Sequence, residues 1–216
     1  MVKIERLKLQ PDKRMVFFKS FLKRPGRVGY IVPSSRFLER RLVQVTGARH
    51  ARLIVEFGPG TGGTTRAMLN EMPRDSKLLA VEIDPEFVRV LKRWNDPRLI
   101  VHQGDARTLG SILETHGLDR PDVVFSGIPF STMPRPIGHD IIRTVYEHLT
   151  PGGLFVAYQM RNVVASLGRE VFGRPRAELE ILNVPPMRLY SWRKPTSEGV
   201  PGRVRTVNPA PEQAIP

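Results

Sequence analysis

The sequence predicts an α/β fold built on a mainly parallel sheet of seven strands. Seven short apolar runs follow one another along the chain, and segments of helical length separate the first six. This alternation is typical of βαβ units, which build parallel sheets. Only residues 185–187 separate the last two runs, too few for a crossover, so these two strands should be antiparallel. The runs are Leu53–Gly58, Leu78–Asp84, Leu99–Asp105, Asp122–Ile128, Gly153–Gln159, Glu178–Val184 and Arg188–Lys194.

A glycine-rich turn follows the first predicted strand. Residues 57–63 read Phe-Gly-Pro-Gly-Thr-Gly-Gly, and a helical segment comes next. Glycines at such a turn allow a ligand to approach the backbone closely, and the free N–H groups at the start of the helix favour an anion. A Walker loop is excluded, because no lysine precedes Thr64. The turn is therefore predicted to bind a nucleotide-like ligand of another kind.

The pattern Glu56-x-Gly58-x-Gly60-x-Gly62 resembles motif I of the class I S-adenosylmethionine-dependent methyltransferases. Glu82 ends the second predicted strand and Asp105 ends the third. The resemblance implies that Glu82 accepts the ribose hydroxyls and that Asp105 accepts the adenine amino group. It also implies a Rossmann-like fold with strand order 3-2-1-4-5-7-6 and an antiparallel strand seven. The cofactor then lies over the carboxyl ends of strands one and two.

The same resemblance names S-adenosyl-L-methionine as cofactor, with S-adenosylhomocysteine as product and no metal. Asp84-Pro85 looks like a helix start, so Glu82 and not Asp84 is assigned to the cofactor. Asp105 also suits a turn at a strand end, and Ser34 or Ser35 suits the cap of a helix that begins at Arg36. The residues expected to bind the cofactor are Ser34, Ser35, Glu56, Gly58, Gly60, Thr61, Gly62, Glu82, Ile83, Asp105 and Ala106.

The composition restricts the chemistry and the partners. The chain of 216 residues carries a net charge of +13, which indicates an anionic partner such as nucleic acid or an anionic membrane surface. No cysteine is present, which excludes disulfides, thiolate metal sites and a cysteine nucleophile. The five histidines have no metal-ligand spacing, so no metal is expected. Without a run of about 18 apolar residues, we expect no membrane-spanning helix. The absence of cysteine and the charged N-terminus without an apolar signal core suit a cytoplasmic protein.

Three segments are expected: a basic membrane-associating segment at 1–30, a methyltransferase domain at 31–194, and a flexible proline-rich tail at 195–216. Between Lys3 and Arg27, nine basic residues stand against two acidic ones. Wound as a helix, residues 12–24 place large apolar side chains on one face and lysines on the other, as in helices on anionic bilayers. Such a helix also suits packing on the domain. We expect residues 1–24 to bind the inner face of the cytoplasmic membrane.

Three stretches resemble the bacterial phospholipid N-methyltransferases of the Sinorhizobium type. They are Tyr-Ile-Val-Pro-Ser-Ser-Arg-Phe-Leu at 30–38, Ser-Gly-Ile-Pro-Phe-Ser-Thr-Met-Pro at 126–134, and Asn-Val-Pro-Pro at 183–186. The resemblance implies stepwise methylation of phosphatidylethanolamine toward phosphatidylcholine at the membrane surface. Ornithine-lipid N-methyltransferases share the pattern and form one alternative. A cofactor-binding membrane regulator without catalysis is another.

The ribosomal RNA adenine dimethyltransferases are similar in overall plan and remain a further alternative. Enzymes that methylate the amino group of a base commonly carry Asn/Asp-Pro-Pro-Tyr/Phe after the fourth strand. This chain has Ser-Gly-Ile-Pro-Phe there, so the polar side chain of that motif is missing. The substitution favours a lipid amine over a nucleobase.

The lipid resemblance implies a set of residues around the reacting amine. Imidazole titrates near neutral pH, so His139 is a candidate base, although it also suits the cap of the following helix. Aromatic rings at Tyr30 and Phe130 suit cation–π contact with a methylated ammonium, whereas Tyr158 suits core packing. The expected substrate and catalytic residues are Tyr30, Ser126, Pro129, Phe130, Ser131 and His139.

Overall fold

The computed structural model describes residues 35–183 and 186–196, and it contains a seven-stranded sheet in the order β3-β2-β1-β4-β5-β7-β6. Strand β7 runs antiparallel to both of its neighbours, and the other described pairings are parallel. The predicted fold and strand order are therefore confirmed. The strands are β1 Leu53–Phe57, β2 Lys77–Glu82, β3 Leu99–Gln103, β4 Val123–Ser126, β5 Leu154–Gln159, β6 Arg176–Glu180 and β7 Met187–Arg193.

Helices cover both faces of the sheet. Side chains alternate between the faces of each strand, so Phe155 packs into one core cluster and its neighbour Val156 into the other. The first cluster lies under α4, α5 and α6, and the second lies under α1 and α2. The helices are α1 Arg36–Thr46, α2 Gly63–Glu71, α3 Pro85–Leu91, α4 Leu109–Thr115, α5 Arg135–His148 and α6 Val163–Phe172.

The carboxyl ends of β1 to β6 meet at one edge of the sheet, which we call the carboxyl edge. Parallel strands share this direction, and β6 joins them because β7 is antiparallel to both β5 and β6. In open α/β sheets this edge is where ligands bind. The glycine turn follows β1 here, and residues 126–134 follow β4 here. The fold thus brings the two predicted binding stretches to the same edge.

The predicted sixth strand, Glu178–Val184, was misplaced toward the C-terminus. The observed strand is Arg176–Glu180, and Ile181 and Leu182 lie in an exposed turn after it. The Leu182 N–H donates to the Glu180 carboxylate at 3.0 Å, which holds the turn. The error arose because two apolar residues extend the apolar run beyond the point where the backbone leaves the sheet.

Several expectations fall outside the described residues. These are the basic segment 1–30, Tyr30 and Ser34, the Val-Pro pair at 184–185, and the tail from residue 197 onward. Within 35–183 and 186–196, no helix combines the length and the apolar character needed to cross a bilayer.

Packing between α6 and β7 requires a glycine. A Cβ at Gly168 would lie 2.6 Å from Cε2 of the buried Trp192 ring, whose Nε1–H donates to the Gly173 carbonyl at 3.1 Å. Alanine in a helix normally gains about 1 kcal/mol over glycine, but overpacking a core costs roughly 1–3 kcal/mol. We expect Gly168→Ala to lower the free energy of unfolding by about 1 kcal/mol in urea titrations. Ser166→Ala, at an exposed position of the same helix, is the control and should not lower it. Equal stabilities of the two variants would contradict this packing.

Candidate cofactor and substrate site

The three glycines of the turn share a backbone conformation, but Gly60 and Gly62 have different surroundings. Gly58, Gly60 and Gly62 all have positive φ, at 70°, 54° and 86°, a backbone region that other residues rarely adopt. A Cβ at Gly60 would meet nothing within 4 Å, whereas one at Gly62 would lie 2.5 Å from Cη2 of Trp94. Gly62 is therefore required by packing on the indole. Gly60 is the position with open space above it, and Thr61 beside it is exposed.

Glu82 joins the end of β2 to the glycine turn. Its side chain is 5% exposed, and its carboxylate accepts N–H bonds from Ile83 at 2.8 Å, Asp84 at 2.9 Å and Gly60 at 3.1 Å. Burial raises the pKa of this carboxyl, and the three backbone donors oppose that rise. The bond from Gly60 fixes the turn against the neighbouring strand, so Glu82 shapes the site as well as carrying charge.

Glu56 lies in β1 and is more deeply buried, at 1% exposure. The Thr64 hydroxyl donates to its Oε1, and the Thr65 hydroxyl donates to its Oε2 at 2.6 Å. Burial raises the pKa of Glu56 to about 7, the two hydroxyls oppose the rise, and the charge of Glu82 adds to it. The start of α2 is thus tied to β1 through a carboxyl that titrates near neutral pH.

These two carboxylates form an anionic centre beneath the glycine turn. Within the described parts of the chain, neither of them makes an ion pair with a basic side chain. A buried carboxylate without a cation is costly. S-adenosylmethionine carries an ammonium group, a sulfonium centre and ribose hydroxyl donors. The negative charge of these acceptors and the open space over Gly60 therefore fit this cofactor, and the bonds of Glu56 and Glu82 to it stay predictions.

Asp84 and Asp105 both occupy turn positions at strand ends. Asp84 caps α3 by accepting the Glu86 N–H at 2.8 Å, which confirms the predicted cap. Asp105 accepts the Arg107 N–H at 2.9 Å and pairs with the Arg107 guanidinium at 2.6 Å, next to the buried Ala106. Both of its oxygens thus have partners, and the bond from Asp105 to the adenine stays a prediction.

The loop after β4 is held by residues of β5. Ser126 is fully buried, and its Oγ accepts the Ile128 N–H at 3.2 Å. The Gln159 amide donates to the Ile128 carbonyl at 2.6 Å. A Cβ at Gly127 would lie 2.9 Å from Cζ of Tyr158, so the Tyr158 ring passes directly over the loop backbone. The loop is a preformed wall of the carboxyl edge.

The predicted substrate residues divide into buried and exposed groups. Phe130 is 1% exposed and packs beside Gly138 in the core, so in this conformation its ring presents no face to a ligand. Ser131 is exposed, and the Pro129 carbonyl accepts the Thr132 hydroxyl at 2.6 Å. The packing of Phe130 is a structural role that the motif did not reveal. The roles of Ser126, Pro129, Phe130 and Ser131 toward a lipid amine stay predictions.

His139 lies one turn into α5 and faces α6. Its Nε2 lies 3.9 Å from Oε2 of Glu170, and Arg135 pairs with the same carboxylate. The helix begins at Arg135, so the alternative that His139 caps it is wrong. Its role as a general base stays a prediction.

The start of α1 is anchored to the turn after β6. Ser35 caps α1, because its Oγ accepts the Leu38 N–H at 3.3 Å, and this confirms the capping interpretation. The Ser35 N–H donates at 3.3 Å to Oδ1 of the buried Asn183. The sequence motif that contains Asn183 gave this residue no role. The structure shows that its side chain anchors the start of α1. A contact of Ser35 with the cofactor stays a prediction.

Sequence reasoning missed several residues that shape the site. Thr64 and Thr65 hold Glu56, and Trp94 packs on Gly62. Glu39 of α1 reaches the start of α2, since a Cβ at Gly63 would lie 2.7 Å from its Oε1. Two hydroxyl residues directly after a glycine turn are a usable signal. The approach of Glu39 and Trp94 depends on tertiary packing, which local patterns do not encode.

The similarity of the chain to known proteins agrees with this geometry. A family model described as a methyltransferase domain matches residues 54–153. An ornithine lipid N-methyltransferase of Singulisphaera acidiphila is 32% identical over 181 residues, which cover 82% of this chain and 94% of that protein. The chain belongs to the class I S-adenosylmethionine-dependent methyltransferases. Its cofactor is S-adenosylmethionine.

Two further similarities place this methyltransferase among its relatives. A ribosomal RNA small subunit methyltransferase A of Alcanivorax borkumensis is 31% identical over 119 residues, 52% of this chain and 39% of that protein. The crystal structure of a Burkholderia thailandensis 1,6-didemethyltoxoflavin-N1-methyltransferase, with S-adenosylhomocysteine bound, superposes with a TM-score of 0.63. It is 15% identical and covers 89% of this chain and 93% of that chain. This likeness shows a shared fold.

We expect Glu82→Gln to weaken S-adenosylhomocysteine binding at least tenfold in calorimetry. The amide keeps the shape of the side chain but removes the charge, and its NH₂ group faces backbone donors instead of accepting from them. Hydrogen bonds to charged groups contribute about 1.5–3 kcal/mol each, and about 1.4 kcal/mol is a tenfold change in affinity. Glu86→Gln, at an exposed position of α3, is the matched control and should bind like the wild type. Unchanged affinity in Glu82→Gln would contradict the assignment.

The buried carboxyl of Glu56 should make stability depend on pH. Its folded-state pKa of about 7 exceeds the ordinary value of 4.5, so between these values the native protein holds a proton that the unfolded chain has lost. Stability therefore falls as pH rises through this interval, by about 3 kcal/mol in total for this group. We expect urea titrations at pH 5 and pH 8 to show this loss in the wild type relative to Glu56→Gln. Parallel pH profiles of the two proteins would refute it.

Proposed function

We propose that this methyltransferase N-methylates the primary amine in the head group of a membrane lipid, an ornithine lipid or phosphatidylethanolamine. The observation that carries the proposal is the similarity to the ornithine lipid N-methyltransferase, which spans 94% of that protein. Extension of methylation to the mono- and dimethylated lipid, toward phosphatidylcholine when phosphatidylethanolamine is the substrate, is part of the proposal. Residues 1–24, outside the described structure, are proposed to hold the protein at the inner face of the cytoplasmic membrane.

The chemistry requires positioning and a dry site. S-adenosylmethionine supplies an activated methyl group when bound. The chain must hold the acceptor nitrogen in line with that group and keep water out. An alkylamine is protonated at neutral pH and must lose its proton before it can attack. The loop after β4, held by Gln159 and Tyr158, provides the wall against which an amine is held. A desolvated amine has a lowered pKa, so water or His139 can accept the proton.

The structure of this loop supports a lipid amine over a nucleobase. Methylation of a base amino group is served by an aromatic ring that stacks on the base. Here the ring of Phe130 is packed in the core against Gly138. The loop also carries Ser126, whose hydroxyl is used by the Ile128 N–H, in place of the side chain that polarises a planar amine. An aliphatic amine needs neither stacking nor polarisation, so both features are compatible with it, although the burial of Phe130 also leaves the expected cation–π contact without an accessible ring in this conformation.

Methylation of ribosomal RNA is the second candidate. It is supported by the similarity to the Alcanivorax borkumensis protein and by the net charge of +13, which also suits a phosphate backbone. The match covers 39% of that relative, compared with 94% of the ornithine lipid N-methyltransferase.

A competition for label tests the proposal. The purified protein is mixed with radiolabelled S-adenosylmethionine, undermethylated ribosomal RNA, and vesicles that contain phosphatidylglycerol with equal amounts of phosphatidylethanolamine and ornithine lipid. We expect label in the organic phase, and thin-layer chromatography then identifies the lipid and the number of methyl groups. The Glu82→Gln variant at the same concentration should leave at most a tenth of that label. Label in the RNA would overturn the proposal in favour of the second candidate, and label in neither pool would also reject both lipids.

A further inference from the structure

Exposed apolar side chains gather at one end of the carboxyl edge. Six large apolar side chains are exposed among the described residues, and five of them belong to this group. Their exposed fractions run from 45% to 65%. Single exposed apolar residues are ordinary on protein surfaces, but a group of them marks an interaction site. We call these five residues the apolar rim: Phe37, Met160, Leu179, Ile181 and Leu182.

Backbone pairing and one hydrogen bond place the rim residues at one end of the sheet, with Leu179 on the face opposite to α1, because the adjacent Glu178 pairs with Arg41 of that helix. Arg188 of β7 is in register with Gln159 on one side and with Leu179 on the other. Met160 and the end of β6 are therefore separated by a single strand, or about 10 Å. The bond from the Ser35 N–H to Asn183 places the first turn of α1, which carries Phe37, beside the turn after β6.

The connection from β6 to β7 reads Ile-Leu-Asn-Val-Pro-Pro, so two apolar residues come before the Asn and Pro that are typical of turns. Connections between antiparallel strands are normally rich in Gly, Asn, Asp, Ser and Pro. Here Ile181 and Leu182 follow β6 directly, and both are more than half exposed. The Leu182 N–H is held by the Glu180 carboxylate, and both side chains are exposed in this part of the turn. Nothing in the packing of the sheet requires apolar residues at these positions.

Arginines border the rim. Arg36 precedes Phe37, Arg161 follows Met160, and Arg188 lies opposite Leu179 in the register of β6 and β7. All three arginines are exposed. In the described part of the chain these three arginines make no ion pair. Apolar side chains at the boundary of head groups and acyl chains, with arginines at the level of the phosphates, are the arrangement by which peripheral proteins sit on anionic bilayers.

We infer that the apolar rim is a membrane-docking surface that inserts into an anionic lipid bilayer. The inference deepens the proposed function, on which it rests for the identity of the partner. Docking here turns the carboxyl edge, with the glycine turn and the loop after β4, toward the lipid head groups. The acceptor amine then reaches the site without leaving the bilayer.

The positive charge around the rim favours an anionic bilayer over the other possible occupants, a second copy of the chain or its N-terminal segment. A second copy that used the same surface would bring three more arginines against Arg36, Arg161 and Arg188. The N-terminal segment has an apolar face that suits packing on the domain, but its nine basic and two acidic side chains between residues 3 and 27 give it the same sign of charge as the three arginines. An anionic lipid surface matches both the apolar side chains and the positive border.

Vesicle binding tests the rim in the full-length protein. The double variant Ile181→Ser/Leu182→Ser removes the two rim members in the turn after β6. Val90→Ser is the control, because Val90 is an exposed apolar residue on α3 that lies outside the rim. Vesicles of phosphatidylglycerol and phosphatidylcholine contain no methylatable amine, so binding is read without turnover. We expect at least a tenfold lower partition coefficient for the double variant in sedimentation. Val90→Ser should stay within twofold of the wild type, and equal binding of both variants would overturn the inference.

A fluorescence experiment separates the occupants. Tryptophan is placed at the rim in Leu182→Trp and away from it in Val90→Trp, and the vesicles carry a spin-labelled lipid. We expect quenching at least threefold stronger at position 182, above the background from Trp94 and Trp192. Equal quenching would overturn the inference, as would a wild-type dimer in sedimentation velocity that the serine variant abolishes without loss of vesicle binding. Lipid methylation by the wild type is measured separately. If the serine variant loses vesicle binding but the wild type methylates no lipid, the rim stands and the proposed function is rejected. If the wild type methylates lipid and the serine variant binds vesicles normally, the proposed function stands and the rim is rejected.

Discussion

The rest of the site depends on two buried carboxylates in neighbouring strands. Glu56 lies in β1 and Glu82 ends the neighbouring strand β2, and each is removed from water. Threonine hydroxyls hold the first, and backbone N–H groups hold the second. These bonds fix the glycine turn and the start of α2, yet they bring no positive charge. The charge that is missing from the described residues is the charge that a sulfonium and an ammonium group bring.

The remainder of the carboxyl edge is organised around this centre by ordinary packing. Trp94 closes one side of the turn against Gly62, and Tyr158 and Gln159 hold the loop after β4. Asn183 ties the start of α1 to the turn after β6. These contacts hold the glycine turn and the loop after β4 in place without a bound substrate. The apolar rim continues this edge outward, and under the proposed function it would give a lipid a route from the bilayer to the loop after β4.

Much of the fold could be predicted from the sequence because its signals are local. Apolar runs separated by helix-length segments indicate parallel strands, and the short link before the last run requires an antiparallel pairing. The cap at Asp84 was likewise readable from Asp84-Pro85. The end of β6 was misjudged, because Ile181 and Leu182 look like strand residues and only the tertiary structure shows that they are exposed. Their exposure is the kind of departure from local rules that accompanies function.

The site was predicted in outline, and its packing was not. A motif can mark Gly58, Gly60 and Gly62, but it cannot show that Gly60 faces open space while Gly62 faces an indole. It also marks Phe130 without revealing that the ring points into the core. Such distinctions depend on residues that are distant in sequence, such as Trp94 and Gly138.

The central claim is that the buried carboxyl of Glu56, with a pKa of about 7, is stabilised in its ionised form by the positive charge of the bound cofactor. A nearby cation favours the ionised carboxyl, so binding should expel the proton that Glu56 holds. Calorimetric titration with S-adenosylmethionine at pH 7, without a methyl acceptor and in buffers of different ionisation enthalpy, measures that proton. The account predicts release of about half a proton per site in the wild type, because half of the carboxyls are protonated at that pH, and none in Glu56→Gln. Release of no proton by the wild type, or equal release by both proteins, would contradict it.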